Sequence, residues 1–339
     1  MRAATLQLFA TPFNRDRNLA TAARLARQAA GQGAQLLVLP GLFNTGCVYS
    51  PRLTQAAEDD AGPSVTWLRE QSAALGAHLA GSLLLRRPRG QVHNAFVLAA
   101  PDGALHTYRQ RYPFFWEGCY FEAGSQPLIV ATVLGRLGLL AGWDVAQPAA
   151  WASYAGQVDA VLIASAPARF HRAVLNFPGA QKAYLAQLMP ALLRERDALD
   201  GLYSAHVAAC AAALGVPVVH AVMAGRFVSP LPFPRLSLLG AAWRQPRYWP
   251  LARQAALASL RATFYGGSAI YDARGATLAQ VEGEEGFALA EVSVGAGQEA
   301  ARQMDAGPAP RPRLPAELRL FERLLRPLAA HAYRRNLSL

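Results

Sequence analysis

The chain has 339 residues, 53% of them hydrophobic and 16% charged, with a net charge of +11. That balance describes a globular protein with a large core, in one sizeable domain or two modest ones. The opening MRAATLQLFATPF lacks the basic start and continuous apolar run of a secretory signal, and the most apolar stretch, HVAACAAALGVPVVHAV, is broken by His206, His220 and Gly-Val-Pro, so it reads as helix then strand and not as a membrane span. Cys47, Cys119 and Cys210 form no zinc or disulfide framework, and so sparse a set suits reduced thiols in a cytoplasm. The positive charge is almost wholly arginine, since Lys182 is the single lysine. Beside so much alanine, that bias reads first as GC-rich coding. A basic surface for nucleic acid or anionic lipid is the second reading, and no aromatic–basic motif supports the nucleic acid.

Taken in order, residues 3–9 alternate like a strand, and Asn14 and Asp16 cap a helix with Leu19, Ala22, Ala26 and Ala29 on one face. GAQLLVLP gives a second strand ending at Pro40. A helix over 64–76 precedes strands at 78–85 and 92–99, and the PDG turn leads into a strand running to about Arg109. Strands near 127–133 and 136–141, a helix from about 148 and a strand at 159–164 follow. Residues 180–213 read as helical, VPVVHAV as a strand, and the stretch from Thr263 to Val292 as two or three strands with a turn at DARG. Strands and helices interleave in two similar halves, which predicts a layered α/β fold. Outside that rhythm stand residues 226–263, rich in Pro, Arg, Trp and Leu, and a tail over 294–339 with a helix at 315–330.

The stretch GLLAGWDVAQP, from Gly138 to Pro148, ends a buried strand on a small residue, an aromatic and an acid, a layout that suits a nucleophile delivered at the mouth of a sheet. With Gln7, Asn18, GAQLLVLPGLFNTG, HNAFVLAAPDGALHTYRQRY, EGCYFEAG and FYGGSAIYDARG, in that order, it resembles the nitrilase superfamily of carbon–nitrogen hydrolases over residues 1–293. The resemblance implies an α/β fold, the nitrilase-like four-layer α-β-β-α sandwich, with 226–263 as an insertion and 294–339 as a C-terminal helical tail. It also implies a homodimer or higher oligomer, and no cofactor or metal.

Family members cleave amides or nitriles, or transfer acyl groups, with a Glu–Lys–Cys triad. A thiolate attacks the carbon, a carboxylate shuttles its proton to the leaving amine, and an ammonium stabilises the tetrahedral intermediate. Here the glutamate position of VLPGLF is Gly41, the lysine position of YRQRY is Gln110, and the cysteine position of AGWD is Gly142. Arg111 does not replace the lysine, because neighbouring strand residues point to opposite faces. The expectation is a pseudoenzyme without thiol-dependent hydrolysis, binding a small amide- or carboxylate-like ligand or serving as a scaffold or regulatory subunit for an active family partner.

What remains of the pocket is Glu117, matching a second family glutamate, with Asp144, Trp143, Cys119 and Cys47. Glu117 also reads as a loop brace, Asp144 as a cap, and the two cysteines as inert buried thiols. Trp143, Phe115 and Trp116 are expected to fill the space the glycines leave. Two alternatives stay open: altered chemistry through Glu117 with Cys119 or Cys47, and surface binding by the basic aromatic insert, including a membrane-surface contact. The tail helix, with Leu318, Phe321, Leu324 and Leu325 on one side, is expected to pack on its own domain or a sister subunit.

Overall fold

The computed structural model describes residues 1–281, 283, 285–294 and 309–338. Its frame is a pair of six-stranded sheets. The first runs, edge to edge, Gly286–Glu291, Arg2–Gln7, Leu36–Val38, His78–Arg86, Val92–Ala99, Leu105–Arg109. The second runs Thr277–Gln280, Ala269–Tyr271, Val218–Val222, Ala160–Ser165, Gly135–Ala141, Ile129–Thr132.

The layering follows from strands that are apolar on both faces. In GAQLLVLP, Leu36 and Val38 belong to the core between the sheets, whereas Leu37 and Leu39 belong to the core under the helices. Leu137, Leu139 and Ala141 of the second sheet join the shared core, while Leu140 turns outward. Period-two alternation with both faces apolar is what a strand sandwiched on two sides requires. The helices Arg15–Gly31 and Pro63–Leu75 cover the first sheet, and Pro148–Ala152 and Ala205–Leu214 cover the second. The result is the expected four-layer α-β-β-α sandwich.

A further apolar cluster lies outside these layers. Its floor is a four-stranded sheet ordered Lys182–Tyr184, Val174–Asn176, Ser259–Thr263, Arg226–Pro230. None of these four strands was anticipated. The segment 180–213, read as helical throughout, begins with one of them and then breaks into short helices from Leu185 to Leu214. Residues 226–263 leave and re-enter along an antiparallel pair, Val228 opposite Arg261, with the helix Pro234–Ala241 and two 3₁₀ turns between.

The last helix, Ala316–Leu337, buries Leu325, Ala329, Ala332, Tyr333 and Asn336, a stripe at helical spacing. Of the expected face, Leu325 is buried and Leu318 packs against the same core, whereas Leu324 is 65% exposed. The side chain of Phe321 and tail residues 295–308 lie outside the described set. The buried stripe packs on the 3₁₀ turn Phe115–Cys119: Asn336 Nδ2 donates to the Cys119 carbonyl at 2.9 Å, and the Val92 amide donates to Tyr333 Oη at 2.8 Å.

Candidate functional site

The strand Gly135–Ala141 delivers its last residue to the end of the sandwich, where the chain turns sharply into the 3₁₀ turn Gly142–Ala146. Gly142 makes that turn at φ +52°, a left-handed conformation that glycine adopts without the steric cost other residues carry. Asp144 fixes the turn. Its carboxylate accepts from Tyr108 Oη at 2.6 Å and from the amides of Tyr112 at 2.9 Å, Arg111 at 3.1 Å and Ala141 at 3.2 Å. It is wholly buried, and burial raises its pKa to about 6 against the lowering effect of those donors. Asp144 is therefore a structural brace that ties the first sheet to the second.

The space beside Gly142 is taken by Gln110. A Cβ on Gly142 would lie 2.9 Å from Gln110 Nε2 and 3.0 Å from its Oε1. The expectation that Trp143, Phe115 and Trp116 fill this space is corrected here, since a carboxamide occupies it. The rings pack on one another instead: Trp143 stacks on Phe114 with centroids 3.8 Å apart, and Phe115 meets Trp116 edge-on at 4.5 Å. Gln110 is fully buried, and both its amide nitrogen and its amide oxygen are hydrogen-bonded. Oε1 accepts from Asn94 Nδ2 at 2.7 Å, and Nε2 donates to the Tyr112 carbonyl at 3.2 Å and to Glu117 Oε2 at 3.1 Å. Arg111 turns away, its guanidinium reaching Ser153 Oγ at 3.1 Å.

Glu117 also accepts from the Phe114 amide at 2.8 Å. Desolvation outweighs these two donors and raises its carboxyl pKa to about 7. Its oxygen faces a glutamine amide where the family resemblance places a lysine.

Gly41 shows the same closure from the other side. Its amide donates to the Ser165 carbonyl at 3.1 Å, and a Cβ there would lie 2.9 Å from the Ser165 carbonyl carbon and 3.0 Å from the Ala166 nitrogen. That obstacle is backbone, which a side-chain rotation does not clear.

Neither cysteine is an activated thiol. Cys119 is 2% exposed, and burial pushes its pKa up to about 12. Cys47 is 7% exposed and is pushed further up, first by burial and then by the nearby Glu117 charge. His93 spends Nδ1 on the Glu122 carbonyl at 3.1 Å. No group of three His, Cys, Asp or Glu side chains suited to holding a metal occurs among the described residues.

Two hollows border this region. An apolar cavity of about 40 Å³ lies behind Phe114, Phe115 and Trp116, against Phe170, Leu185 and Met189. Small-molecule sites usually offer about 300 Å³ or more. A larger groove of about 720 Å³ opens between Trp143 and the last helix, where Arg111, Glu122, Glu322 and Arg326 line it. Gly41, Gln110, Gly142 and Glu117 are not among its walls. Asn94 and Phe114 are the residues sequence reasoning left out of the site. An asparagine inside a strand as apolar as VHNAFVLA was a usable signal, because a buried amide needs a partner.

A family model, Carbon-nitrogen hydrolase, matches residues 2–302. The chain is 31% identical over 168 residues to omega-amidase YafV of Escherichia coli K12, covering 49% of this chain and 60% of that protein. It is 30% identical over 113 residues to a nitrilase of Pyrococcus abyssi, covering 32% of this chain and 43% of that one. Each sequence match thus spans less than two thirds of the relative. Among solved structures, a CN-hydrolase superfamily protein of Xanthomonas campestris with an arsenic adduct in its active site superposes with a TM-score of 0.62 at 23% identity, covering 90% of this chain and 95% of that one. A cysteine-to-alanine mutant of the Nesterenkonia AN1 amidase from the nitrilase superfamily gives 0.63 at 21%, covering 89% and 94%.

Proposed function

The chain belongs to the carbon–nitrogen hydrolase family, and from that premise we propose that it is a non-hydrolytic member, a scaffold or regulatory subunit whose old catalytic space is closed by its own Gln110. The observation that carries the reading is the hydrogen-bonded carboxamide of Gln110 lodged where a side chain at Gly142 would begin. The family reaction needs a thiolate, a base and an ammonium, and the matching positions hold Gly142, Gly41 and Gln110. In a cooperating set, loss of the nucleophile alone typically costs about 10⁴- to 10⁶-fold in rate. Partners compatible with this role are a second copy of the chain or an active family member.

The test is direct. Purified protein is incubated with simple amides, ω-amides and nitriles beside an active omega-amidase. No turnover above blank is expected; rates within about a hundredfold of the control would sink the proposal. Closure is tested separately by the triple substitution G41E/Q110K/G142C. It is expected to stay inactive and lose stability, because the backbone of Ser165 and Ala166 stands 2.9–3.0 Å from the first added atom at Gly41. Recovery of amidase activity would show a site that is only emptied, not closed. Altered chemistry through Cys47 or Cys119 predicts fast, stoichiometric alkylation by iodoacetamide; their burial and raised pKa values support labelling slower than free thiol.

A further inference from the structure

The segment between Arg226 and Thr263 is held firmly on its inner side. Ser237, Leu238, Ala241, Ala242, Ala255 and Ala258 are buried, and Trp116 Nε1 donates to Ser237 Oγ at 3.2 Å. Its outer side is apolar and aromatic. Leu236 is 42% exposed, Leu239 39%, Trp243 53%, Trp249 48% and Leu257 71%. Leu236 and Leu239 lie one turn apart on the helix Pro234–Ala241, Trp243 follows two residues past its end, and the Trp249 indole donates to the Ala242 carbonyl at 3.0 Å, which brings it to the same place. Large apolar groups collected on a surface mark a contact.

The charge around them has one sign. Arg226, Arg235, Arg244, Arg247, Arg253 and Arg261 all lie in this segment and all are exposed, while no Asp or Glu occurs between Asp200 and Asp272. None of the six forms an ion pair among the described residues. Arg244 lies 4.4 Å over the Trp243 ring and Arg247 4.9 Å over the Tyr248 ring, so cation and aromatic stand side by side.

We infer that residues 231–257 dock the protein peripherally on an anionic phospholipid surface, with Trp243, Leu257 and their apolar neighbours entering the headgroup layer and the arginines meeting lipid phosphates. Charge complementarity selects the partner. Exposed leucines beside tryptophan suit the boundary between headgroups and acyl chains, whereas a nucleic acid would reward aromatics spaced along a basic groove. No helix among the described residues is long and apolar enough to cross a membrane, so the contact is superficial. This inference stands independently of the fate of the catalytic space.

The full-length protein is sedimented with vesicles of phosphatidylcholine carrying phosphatidylglycerol, and with vesicles of phosphatidylcholine alone. Binding to the first, weak binding to the second and release by high salt are expected. R244A/R247A should weaken binding about 30-fold, at about 1 kcal/mol for each arginine near the surface. W243S/L257S should weaken it as well and lower the change in tryptophan fluorescence on binding. Trp249 is left in place because its indole hydrogen bond belongs to the fold. No sedimentation, equal binding to both vesicle types, binding unchanged in the four-residue combination, or retention on RNA without retention on vesicles would each overturn the inference. The lipid-charge and salt arms need no variant, so a misfolded mutant cannot obscure the outcome.

Discussion

The region around Gly142 and the excursion at 231–257 treat their polar groups in opposite ways. Around Gly142, the Gln110 amide has its donors and its acceptor engaged, and Asp144 collects a phenol and three backbone amides. In the excursion, arginines and indoles face solvent with few protein partners. A site that keeps its hydrogen-bonding capacity for itself has little left to offer a ligand, while a surface with spare cations and exposed rings has much. The contrast is between polar groups bonded within the chain and polar groups left facing solvent.

Three substitutions probe that contrast, in falling order of effect. Asp144→Ala strands two buried and two part-buried donors and unties the two sheets, and it is expected to cost about 3–5 kcal/mol by urea unfolding. A loss below about 1 kcal/mol would mean that the inward network is not what holds the region shut. Next comes Glu117→Gln, whose effect depends on pH. The Glu117 carboxyl is raised from 4.5 to about 7 in the folded protein, so its protonated form favours folding. That favour is complete below about pH 4.5 and lost as pH rises through 7. The variant should match the parent near pH 4.5 and exceed it above pH 8 by on the order of 2 kcal/mol, measured as the difference between their melting curves across pH. A gap that narrows with rising pH would reverse the argument. The smallest effect belongs to the excursion: Leu257→Ser, at a side chain 71% exposed, should change stability by less than about 0.5 kcal/mol. A larger loss would show that the outer side is packing surface after all.

The sandwich was readable because its strands carry period-two apolar patterns and its turns carry Gly, Pro and Asp. Leu36 to Leu39 divide between two cores as that period requires. The letters at the three positions where the resemblance expects a triad, Gly41, Gln110 and Gly142, were equally readable. What occupies the space beside Gly142 was not, because a sequence does not show the path of the Gln110 side chain toward it. Volume reasoning favoured the large rings, yet the amide won: it stands one residue past the strand Leu105–Arg109 of the facing sheet, with Asn94 and Glu117 placed to bond it. The four-stranded sheet was hidden for a different reason. Its strands are three to five residues long, too short for a periodic signal, and two of its three pairings span large separations, Val174 with Arg261 and Val228 with Arg261.

The clamp of the last helix on the Phe115–Cys119 turn joins Asn336 to a carbonyl 217 positions earlier. During synthesis the sandwich therefore emerges before its cover, and the loop bearing Glu117 spends that interval without the contacts that later seat it. Domains of this size fold as they leave the ribosome, at about 5–20 residues per second. For those seconds the nascent chain presents an open flank that the finished protein no longer displays.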